Sequence, residues 1–323
     1  MSASAFEISS LSIVLCTFNR ATMLRETLTC LASLEPAPGV RHEVVIVDNN
    51  SSDETQSVCR EFETSATMPV ACCVETAQGL SNARNRGLRQ ALGDVVVFTD
   101  DDIVVPSTWV RDYAAAYRRH DADAVFGKII PDWGGPRPNW YHAKLGPIYG
   151  ALDYGDFETV VRNRRQEFFG ANFSVRRQLL AELGGFDPSL GRTPENLYIS
   201  EERKIFLALA SRGRKIVYSP AIQVRHRISD RMKARSYVRK YYRDTAVSLV
   251  NMTPRRTSRQ LFGIPYYRAA ECLASFLLFV PRQVQAICCG DYRALYPLRL
   301  ELMRSFRVCW LHIRRRLAKD PGI

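Results

Sequence analysis

Short apolar runs alternate with helical segments along the first hundred residues, and this alternation restricts the fold more than any other feature of the sequence. Between the runs, apolar residues recur at helical intervals. Strands that are apolar on both faces are typical of a parallel sheet covered by helices on both sides. The sequence therefore predicts an α/β fold with a doubly wound, mainly parallel sheet. The apolar runs are LSIVLCT (11–17), EVVIVDNN (43–50), VACCVE (70–75) and DVVVFTD (94–100).

Acidic residues stand where two of these predicted strands end. Asp48 follows the second run, and Asp100, Asp101 and Asp102 follow the fourth. In doubly wound sheets, ligands bind beyond the carboxyl ends of the strands. Adjacent carboxylates repel one another unless a cation lies among them, and such oxygen ligands suit Mg²⁺ or Mn²⁺ shared with phosphate oxygens. The sequence therefore indicates a cation site at this edge, with a solvated acidic turn as the alternative.

The pattern changes in the rest of the chain. Residues 131–165 are rich in Pro, Gly, Trp and Tyr without a clear period, which predicts an extended loop region. The next predicted elements are a strand at EFFGANFSV (167–175), a helix at SEERKIFLALASRG (200–213) and a strand at KIVYSP (215–220). Basic helical segments follow. We expect a first domain over residues 1–228, made of two halves (1–103 and 104–228), and a basic helical extension over residues 229–323.

The net charge of +12 is concentrated at the end of the chain. From Arg225 onward there are 21 basic and 6 acidic residues, a net +15, so residues 1–224 carry −3. Basic helices that also carry Tyr and aliphatic residues are typical of segments that lie on anionic membranes. The longest apolar run there, CLASFLLFV (272–280), is too short to span a bilayer. We expect the extension either to bind an anionic membrane surface or to pack on the first domain. No nucleic-acid partner is expected, because no recognition motif is visible.

The cysteines and the first residues bear on location. The nine cysteines are odd in number and include no CxxC spacing, which predicts thiols in a reducing compartment and no disulfide framework. The first ten residues, MSASAFEISS, lack a basic region followed by an apolar one, so no signal peptide is predicted. We expect a cytoplasmic protein, peripheral at the inner face of the cell membrane if the extension binds lipid.

Eight segments in a fixed order resemble family 2 of the inverting glycosyltransferases, which have the GT-A fold. They span roughly residues 10–228. The resemblance implies that residues 1–228 form a catalytic domain with a nucleotide-binding half (1–103) and an acceptor half (104–228). It also implies a nucleotide-sugar donor and a divalent cation, Mg²⁺ or Mn²⁺. The segments are SIVLCTFNR, EVVIVDNNSSDET, GLSNARNRGL, GDVVVFTDDD, FGANFSVRR, GGFD, SEERKIFLALASRG and VRH.

The resemblance assigns the donor site residue by residue. Asp100-Asp101-Asp102 matches the family's Asp-x-Asp motif, in which the last carboxylate binds the cation and the first contacts the ribose or a water on the metal. Asp48 matches the acidic residue that holds the nucleotide base, which favours a UDP-sugar. Without the resemblance, Asp48 would be explained as a strand-end cap. Thr17 and Asn19 would be polar residues of a first helical turn, and Arg84 would be a solvated helix arginine. Further candidates for the nucleoside pocket are Thr17, Asn19 and Arg84.

The resemblance also implies a general base, which takes the proton of the acceptor hydroxyl. The family places an Asp there, second in a Glu-Asp pair that opens a helix ending in Gly. Here the pair is Glu201-Glu202 and the helix ends at Gly213, so Glu202 is the expected base and Glu201 the second candidate. Glu in place of Asp lengthens the side chain by about 1 Å, a distance that matters in catalysis. The structural alternative is a pair of acidic residues that complement the helix dipole.

Other matched residues lie on the cation and acceptor sides. His226 matches a histidine that approaches the metal or the diphosphate, although a lone His is more often a polar surface residue. Trp133 and Trp140 are candidates for stacking on a sugar ring, with loop packing as the alternative. The acceptor-side candidates from the matched segments are Asn172, Gly185 and Asp187.

The resemblance favours a metal-dependent inverting transferase that moves a sugar from a nucleotide-diphosphate donor, with a UDP-sugar favoured. The expected acceptor is a hydroxyl of a saccharide or lipid-linked saccharide, in surface polysaccharide or glycoconjugate assembly. One alternative is a polyprenyl-phosphate sugar synthase, whose ionised phosphate acceptor needs no base. A nucleotidyltransferase would leave the Glu-Glu pair without a role, and a nucleic-acid-binding protein using the basic extension ranks last.

Overall fold

A computed structural model describes residues 7–253, 260–261 and 263–317. It divides into two compact units. The first comprises the residues up to Gly134, with Gly150–Pro194 and Glu201–Ile228, and the second comprises Gly135–Tyr149, Glu195–Ser200 and the described residues from Ser229 onward. The division of the chain at residue 228 into a catalytic domain and an extension stays a prediction.

The first unit is built on one sheet of nine strands in the described residues, in the order β3-β2-β1-β4-β8-β6-β9-β5, with β7 also paired to β9. Its strands are β1 Ser10–Thr17, β2 Arg41–Asp48, β3 Val70–Val74, β4 Val95–Asp100, β5 Ile103–Val104, β6 Ala124–Asp132, β7 Thr159–Val160, β8 Phe173–Arg176 and β9 Ile216–Arg227. Its helices are α1 Ala21–Ala32, α2 Thr55–Ser65, α3 Leu80–Gln90, α4 Trp109–His120, α5 Arg177–Glu182 and α6 Glu201–Ser211.

The sheet is parallel through its first four strands in sequence. β1 lies between β2 and β4 and runs parallel to both, and β3 runs parallel to β2. The predicted parallel, helix-flanked sheet of the first hundred residues is therefore confirmed. Beyond β4 the sheet is mixed, because β8 runs antiparallel to both β4 and β6 while β9 runs parallel to β6.

The core explains why β1, β2 and β4 read as continuous apolar runs, whereas the residues of β3 at the edge of the sheet are only partly buried or exposed. Residues that point to either face are buried, as in Val44–Val47 and Val95–Phe98, because helices cover both sides. Aromatic rings extend this core toward β8. Phe173 stacks on Phe98 with ring centroids 5.2 Å apart and on Phe168 at 4.5 Å. The core therefore fixes the carboxyl ends of β1, β2 and β4 relative to one another.

Two predicted strands differ from the structure. The strand expected at 167–175 begins only at Phe173, and the residues before it form a turn. The strand expected to end at Pro220 continues to Arg227. Its register against β6 shifts after Gly127, where the paired residues jump from Ser219 to Gln223. This bulge accommodates a proline that has no N–H to donate, so the proline does not end the strand.

The second unit is mainly helical. Two of its helices pack through a small apolar cluster formed by Ala246, Val250, Val308 and Leu311. No helix in the described part of the chain combines the length and the apolar composition needed to cross a membrane. All nine cysteines fall within the described ranges and are free thiols. The elements of the second unit are a 3-10 helix at Ala143–Tyr149, α7 Arg235–Asn251, β10 Gln260–Leu261, β11 Ile264–Pro265, α8 Tyr266–Leu277, α9 Phe279–Cys288, a 3-10 helix at Tyr292–Ala294 and α10 Leu295–Leu317.

Candidate active site

The parallel register brings the predicted donor residues to one edge of the sheet. Thr17, the last residue of β1, pairs with Asp48, the last residue of β2. On the other side of β1, Cys16 pairs with Asp100, the last residue of β4. Asp101 and Asp102 then turn into β5. The carboxyl edge of three neighbouring strands therefore carries the residues that the sequence singled out.

An arginine holds two carboxylates of the aspartate cluster. Arg20 Nη1 donates to Asp101 Oδ1 at 2.7 Å and to Asp102 Oδ2 at 2.6 Å. The Thr17 hydroxyl donates to Asp101 Oδ2 at 2.8 Å. Asp101 and Asp102 are each only 4% exposed, whereas the side chain of Asp100 is 31% exposed. Asp100 is thus the member of the cluster that solvent reaches most easily.

The environment gives the two buried carboxyl groups different proton affinities. Burial raises the pKa of Asp101 to about 6 even though the charge of Arg20 opposes it. Burial would also raise the pKa of Asp102, but the charges of His226 and Arg20 more than offset it and hold that pKa below its usual value. Asp102 is therefore the carboxylate of this pair that keeps its charge most readily.

Asp102 and His226 form a pair suited to part of a cation's ligand shell. Antiparallel pairing of β5 with β9 sets Ile103 opposite His226, and His226 Nε2 lies 3.3 Å from Asp102 Oδ1. That oxygen is buried, and apart from His226 it has no hydrogen-bond partner among the described groups. Within the described ranges no three His, Cys, Asp or Glu side chains are grouped so that they could hold a metal alone. Mg²⁺ and Mn²⁺ commonly bind through one or two carboxylates together with substrate phosphates, and this arrangement fits that mode.

Arg84 is not a solvated helix arginine. It is 1% exposed, its Nη1 donates to Glu201 Oε1 at 2.7 Å, and its Nη2 lies 3.5 Å from Asp100 Oδ1. Its guanidinium also lies over the Phe186 ring, 5.6 Å from the centroid. A Cβ on Gly170 would come within 2.3 Å of Nη2, so the turn before β8 leaves room for this guanidinium only because residue 170 is glycine. One buried cation thus joins the aspartate cluster to the acidic pair of α6.

The two glutamates that open α6 have different surroundings. Glu201 is 3% exposed and paired with Arg84. Glu202 is partly exposed, but its Oε2 is shielded and accepts no hydrogen bond from the described residues. Burial raises the pKa of Glu202 well above its usual value, and the neighbouring Glu201 carboxylate adds to the rise. Glu202 is therefore a carboxyl group with high proton affinity and an unused oxygen.

The loops after β1 and β2 are tied together around Asp48. Asp48 Oδ1 accepts a hydrogen bond from Ser51 N at 2.9 Å, while its Oδ2 is buried and has no hydrogen-bond partner among the described atoms. Asn19 is exposed and has a left-handed backbone (φ 51°), and its Oδ1 accepts from Ser52 N at 2.8 Å. Asp48 thus offers one oxygen on the side where a nucleotide base is predicted to bind. The side-chain oxygen of Asn19 is already used in a hydrogen bond between the two loops.

Asn172 lies in the core. Its side chain is fully buried, and Oδ1 accepts hydrogen bonds from Trp109 Nε1 at 3.1 Å and Tyr113 Oη at 2.9 Å. Its Nδ2 donates to the backbone oxygens of Lys128 and Ile222, both at 3.0 Å. The amide therefore joins α4, β6, β8 and β9, and these contacts use its hydrogen-bonding groups inside the protein.

The turn at 184–187 is fixed by Asn85, a residue that the sequence did not single out. Asn85 exchanges two hydrogen bonds with the backbone of Phe186, both 2.8 Å long. Gly185 has a φ of +71°, and a Cβ there would lie 2.5 Å from Asn85 Oδ1. Asp187 accepts a hydrogen bond from Lys204 Nζ at 2.6 Å. This loop is held in one conformation beside α3.

The two candidate tryptophans lie in different units. Trp133, in the first unit, is 6% exposed. Trp140, in the second, packs against the Tyr296 ring with centroids 5.6 Å apart, and Arg235 lies 5.7 Å from its centroid. Trp133 is thus buried and Trp140 has ring and cation contacts within its own unit, and the stacking of either ring on a sugar stays a prediction.

Sequence reasoning missed Arg20 and Asn49. Arg20 directly follows Asn19 in the matched segment SIVLCTFNR, so its place at a strand end was the available signal. Asn49 follows Asp48, and its Nδ2 donates to Glu75 O and Ala77 O, both at 2.9 Å. These bonds attach the end of β2 to the loop after β3, which supports the base side of the site.

Comparison with known proteins gives one family and several relatives. The profile of the family described as Glycosyl transferase family 2 matches residues 12–184, more than half of the chain. The glucosyl-dolichyl phosphate glucuronosyltransferase of Haloferax volcanii is 26% identical over 223 residues, which cover 67% of this chain and 69% of the relative. The succinoglycan biosynthesis protein ExoM of Rhizobium meliloti is 23% identical over 239 residues, 72% of each chain.

Solved structures with the same fold have bound nucleotide sugars. A mannosyltransferase from Pyrobaculum calidifontis in complex with GDP-Man and Mn²⁺ superimposes with a TM-score of 0.59 at 16% identity, covering 98% of this chain and 88% of its own. Residues 1–349 of S. aureus TarS in complex with UDP-GlcNAc give a TM-score of 0.54 at 19% identity, covering 96% and 92%. At these identities the likeness concerns the fold.

Proposed function

Because the chain belongs to glycosyltransferase family 2 and has the GT-A fold, we propose that it is a metal-dependent inverting transferase that moves a sugar from a UDP-sugar to a hydroxyl group of a saccharide. The observation that carries the proposal is the span of Arg84, which pairs with Glu201 and reaches Asp100. A donor site at the sheet edge and an acidic pair on α6 therefore lie within reach of a single guanidinium. Inverting transfer needs both, one for the leaving group and one for the acceptor proton.

On the donor side, the nucleotide base and the diphosphate would be bound at opposite ends of the carboxyl edge of the sheet. Asp48 Oδ2, buried and without a hydrogen bond from the described residues, would accept the ring N–H of uracil. Asp102 and His226 would hold a divalent cation, with Asp100 contacting it through water or the ribose. That cation supplies positive charge that stabilises the departing nucleoside diphosphate.

On the acceptor side, Glu202 would act as general base. The acceptor oxygen attacks the anomeric carbon, the bond from that carbon to the β-phosphate oxygen breaks, and the nucleoside diphosphate leaves with the electron pair. The acceptor proton passes to Glu202, whose Oε2 has no hydrogen bond to a described residue. The raised pKa of Glu202 suits this step, because a carboxylate with higher proton affinity is a stronger base. Glu201, which pairs with Arg84, would position the start of the helix.

The acceptor class follows from the relatives rather than from the site. One relative is named as acting on glucosyl-dolichyl phosphate and another as a succinoglycan biosynthesis protein. We therefore propose a saccharide or lipid-linked saccharide acceptor, in the assembly of a surface polysaccharide or glycoconjugate. Free thiols at all nine cysteines support a reaction in the cytoplasm.

A donor screen tests the proposal. Wild type and Asp102→Ala are compared for turnover of UDP- and GDP-sugars with Mg²⁺, with Mn²⁺ and without metal, and for Mn²⁺ binding in the presence of UDP by calorimetry. We expect metal-dependent turnover of a UDP-sugar, and we expect the variant to lose both turnover and UDP-dependent Mn²⁺ binding. Equal Mn²⁺ binding by the variant would refute the cation site. Near-normal turnover in Glu202→Gln would instead favour a phosphate acceptor, as in a polyprenyl-phosphate sugar synthase.

A further inference from the structure

Two consecutive helices of the second unit leave their apolar side chains in solvent. α8 buries none of its described residues, and α9 buries only Ala286. In a folded protein, helices of this composition normally cover their apolar side with another element. The large apolar residues that stay exposed here are Tyr266, Tyr267, Leu273, Phe276, Leu277, Leu278, Val280, Val284 and Ile287. We call these nine side chains the α8–α9 face.

The α8–α9 face differs from the other helices of the same unit. α7 buries eight of its residues, including Val238, Ala246 and Val250. It packs on α10 through their shared apolar cluster, and α10 in turn packs on α8 through the Phe276–Phe306 ring contact. Packing within the unit therefore explains α7 and the side of α10 that meets it, although Met303, Phe306 and Trp310 of α10 are also exposed. Apart from the Phe276–Phe306 contact, the described residues leave the α8–α9 face largely exposed.

The face is also unlike the exposed apolar residues of the first unit. There the large exposed ones within the described ranges are Val74, Leu92, Ile130, Phe157 and Val160, which come from four separate segments of the chain. Singly exposed apolar residues are normal, whereas a contiguous group marks an interaction site. Nine exposed apolar residues are concentrated within residues 266–287, on two consecutive helices.

The charge around the face is positive. From Cys272 to Gly290 the sequence carries one charged residue, Arg282, and no acid. Arg282 is exposed, as are Arg293 and Arg299 on the segments that follow. Over residues 263–317 there are 9 basic and 3 acidic residues. An apolar face with an arginine border complements a layer of hydrocarbon beneath anionic phosphate.

We propose that the α8–α9 face lies in the headgroup region of an anionic lipid bilayer and holds the protein at the membrane surface. The helices are too short to cross, since their 12 and 10 residues correspond to roughly 18 and 15 Å against a hydrocarbon core of about 30 Å. An amphipathic segment that does not span lies in the plane of the interface, with its apolar side chains inserted and its arginines at the phosphates.

A second copy of the chain fits this face less well. Two copies would bring the same arginine-bordered surfaces together, and no acid between residues 272 and 290 would neutralise them. Two of the three acids near the face are already paired within the unit: Glu271 with Arg268 at 2.8 Å, and Asp291 with His142 at 3.2 Å. Lipid phosphate supplies the opposite charge that a second copy lacks.

The test uses the full-length protein and sedimentation with vesicles. Vesicles of phosphatidylcholine are compared with vesicles of phosphatidylcholine and phosphatidylglycerol. We expect binding to the anionic vesicles that weakens as salt is added. The triple variant Leu277→Gln, Val280→Gln, Val284→Gln, in which all three positions are exposed, should bind about tenfold more weakly or worse. Arg282→Gln should lose about fivefold on anionic vesicles only.

The matched control changes Leu92 and Phe157 to Gln. These residues are 76% and 83% exposed and lie in the first unit, so the control removes similar exposed apolar surface elsewhere. It should bind vesicles as wild type does. The proposal would be overturned if the control bound vesicles as weakly as the triple variant, or if wild type did not bind anionic vesicles. It would also be overturned if the protein associated with itself without lipid and only the triple variant lost this association. Binding of UDP with Mn²⁺ should be the same in all these variants, which separates this test from that of the proposed function.

Discussion

Replacing Glu201 by Gln removes the negative partner of the buried Arg84 and keeps the shape of the side chain. Arg84 Nη1 donates to Glu201 Oε1 at 2.7 Å, and both residues are nearly inaccessible to water, with exposures of 1% and 3%. A buried cation that loses its partner is costly, and measured costs for breaking such pairs are about 3–5 kcal/mol. Gln still offers an oxygen acceptor and Asp100 lies 3.5 Å from Nη2, so we expect about 3 kcal/mol, at the lower end of that range.

Replacing Glu202 by Gln is the matched comparison, because the same chemical change is made one residue away. Glu202 is partly exposed and pairs with no arginine or lysine among the described residues. Its folded pKa is raised above the usual 4.5. The stability that this difference contributes is fully present below pH 4.5 and is lost as the pH rises through the folded pKa. Gln stays neutral, so this variant should equal or exceed the stability of wild type at neutral pH.

Thermal unfolding followed by circular dichroism at acidic and at neutral pH, together with donor turnover, checks both variants. For Glu201→Gln we expect a midpoint lower by roughly 6 °C or more. Glu202→Gln should keep its midpoint and lose about 10²- to 10⁴-fold in transfer. Equal losses of stability in the two variants would contradict this expectation, because the buried ion pair would then not distinguish them. Transfer of sugar to a hydroxyl by Glu202→Gln at the wild-type rate would contradict the role of Glu202 as the base.

Three further predictions concern the pH profile and two glycines. Transfer should rise with pH as Glu202, whose pKa is raised, loses its proton, and a kcat/KM profile of Glu202→Gln should lack this limb. Gly170→Ala places a Cβ 2.3 Å from Arg84 Nη2, so we expect the guanidinium to shift and kcat to fall about tenfold to a hundredfold in steady-state assays. Gly127→Ala places a Cβ 1.6 Å from the backbone oxygen of Ile222, which cannot give way, so urea unfolding should show a loss of about 4 kcal/mol or more.

The sheet edge could be predicted from the sequence because its signals are local. Each of the first four strands is a continuous apolar run, and a polar residue at the end of such a run marks the carboxyl edge of a parallel sheet. Asp48 and Asp100 were placed in this way, and the register of β1 with β2 and β4 bears the placement out. The long β9 was not predicted, because Pro220 reads as a strand end unless the bulge opposite it is known.

The partners of the charged residues could not be predicted, because tertiary contacts decide them. Arg20 lies 81 residues from Asp101 in sequence, and Arg84 lies 117 residues from Glu201. Sequence alone allows a solvated arginine at either position, and their burial depends on side chains from other segments. Asn172 is the opposite case. Its place in a matched segment predicted a binding group, but its side-chain amide makes hydrogen bonds within the core. Residue type identifies candidates, and the fold decides which of them keep an unused atom.

The geometry of a helix start separates the two glutamates that the sequence left as alternatives. Successive residues of an α-helix point about 100° apart, so neighbours do not share a face. Glu201 points inward to Arg84, and Glu202 leaves the helix about 100° further round. Its Oε2 is shielded, and its carboxyl group stays close enough to Glu201 for that carboxylate to raise its pKa. The buried ion pair fixes the rotation of α6, and this rotation in turn sets the direction of Glu202. On this view, the longer reach of Glu over the Asp expected from the family is compatible with catalysis because Arg84 anchors the residue before it.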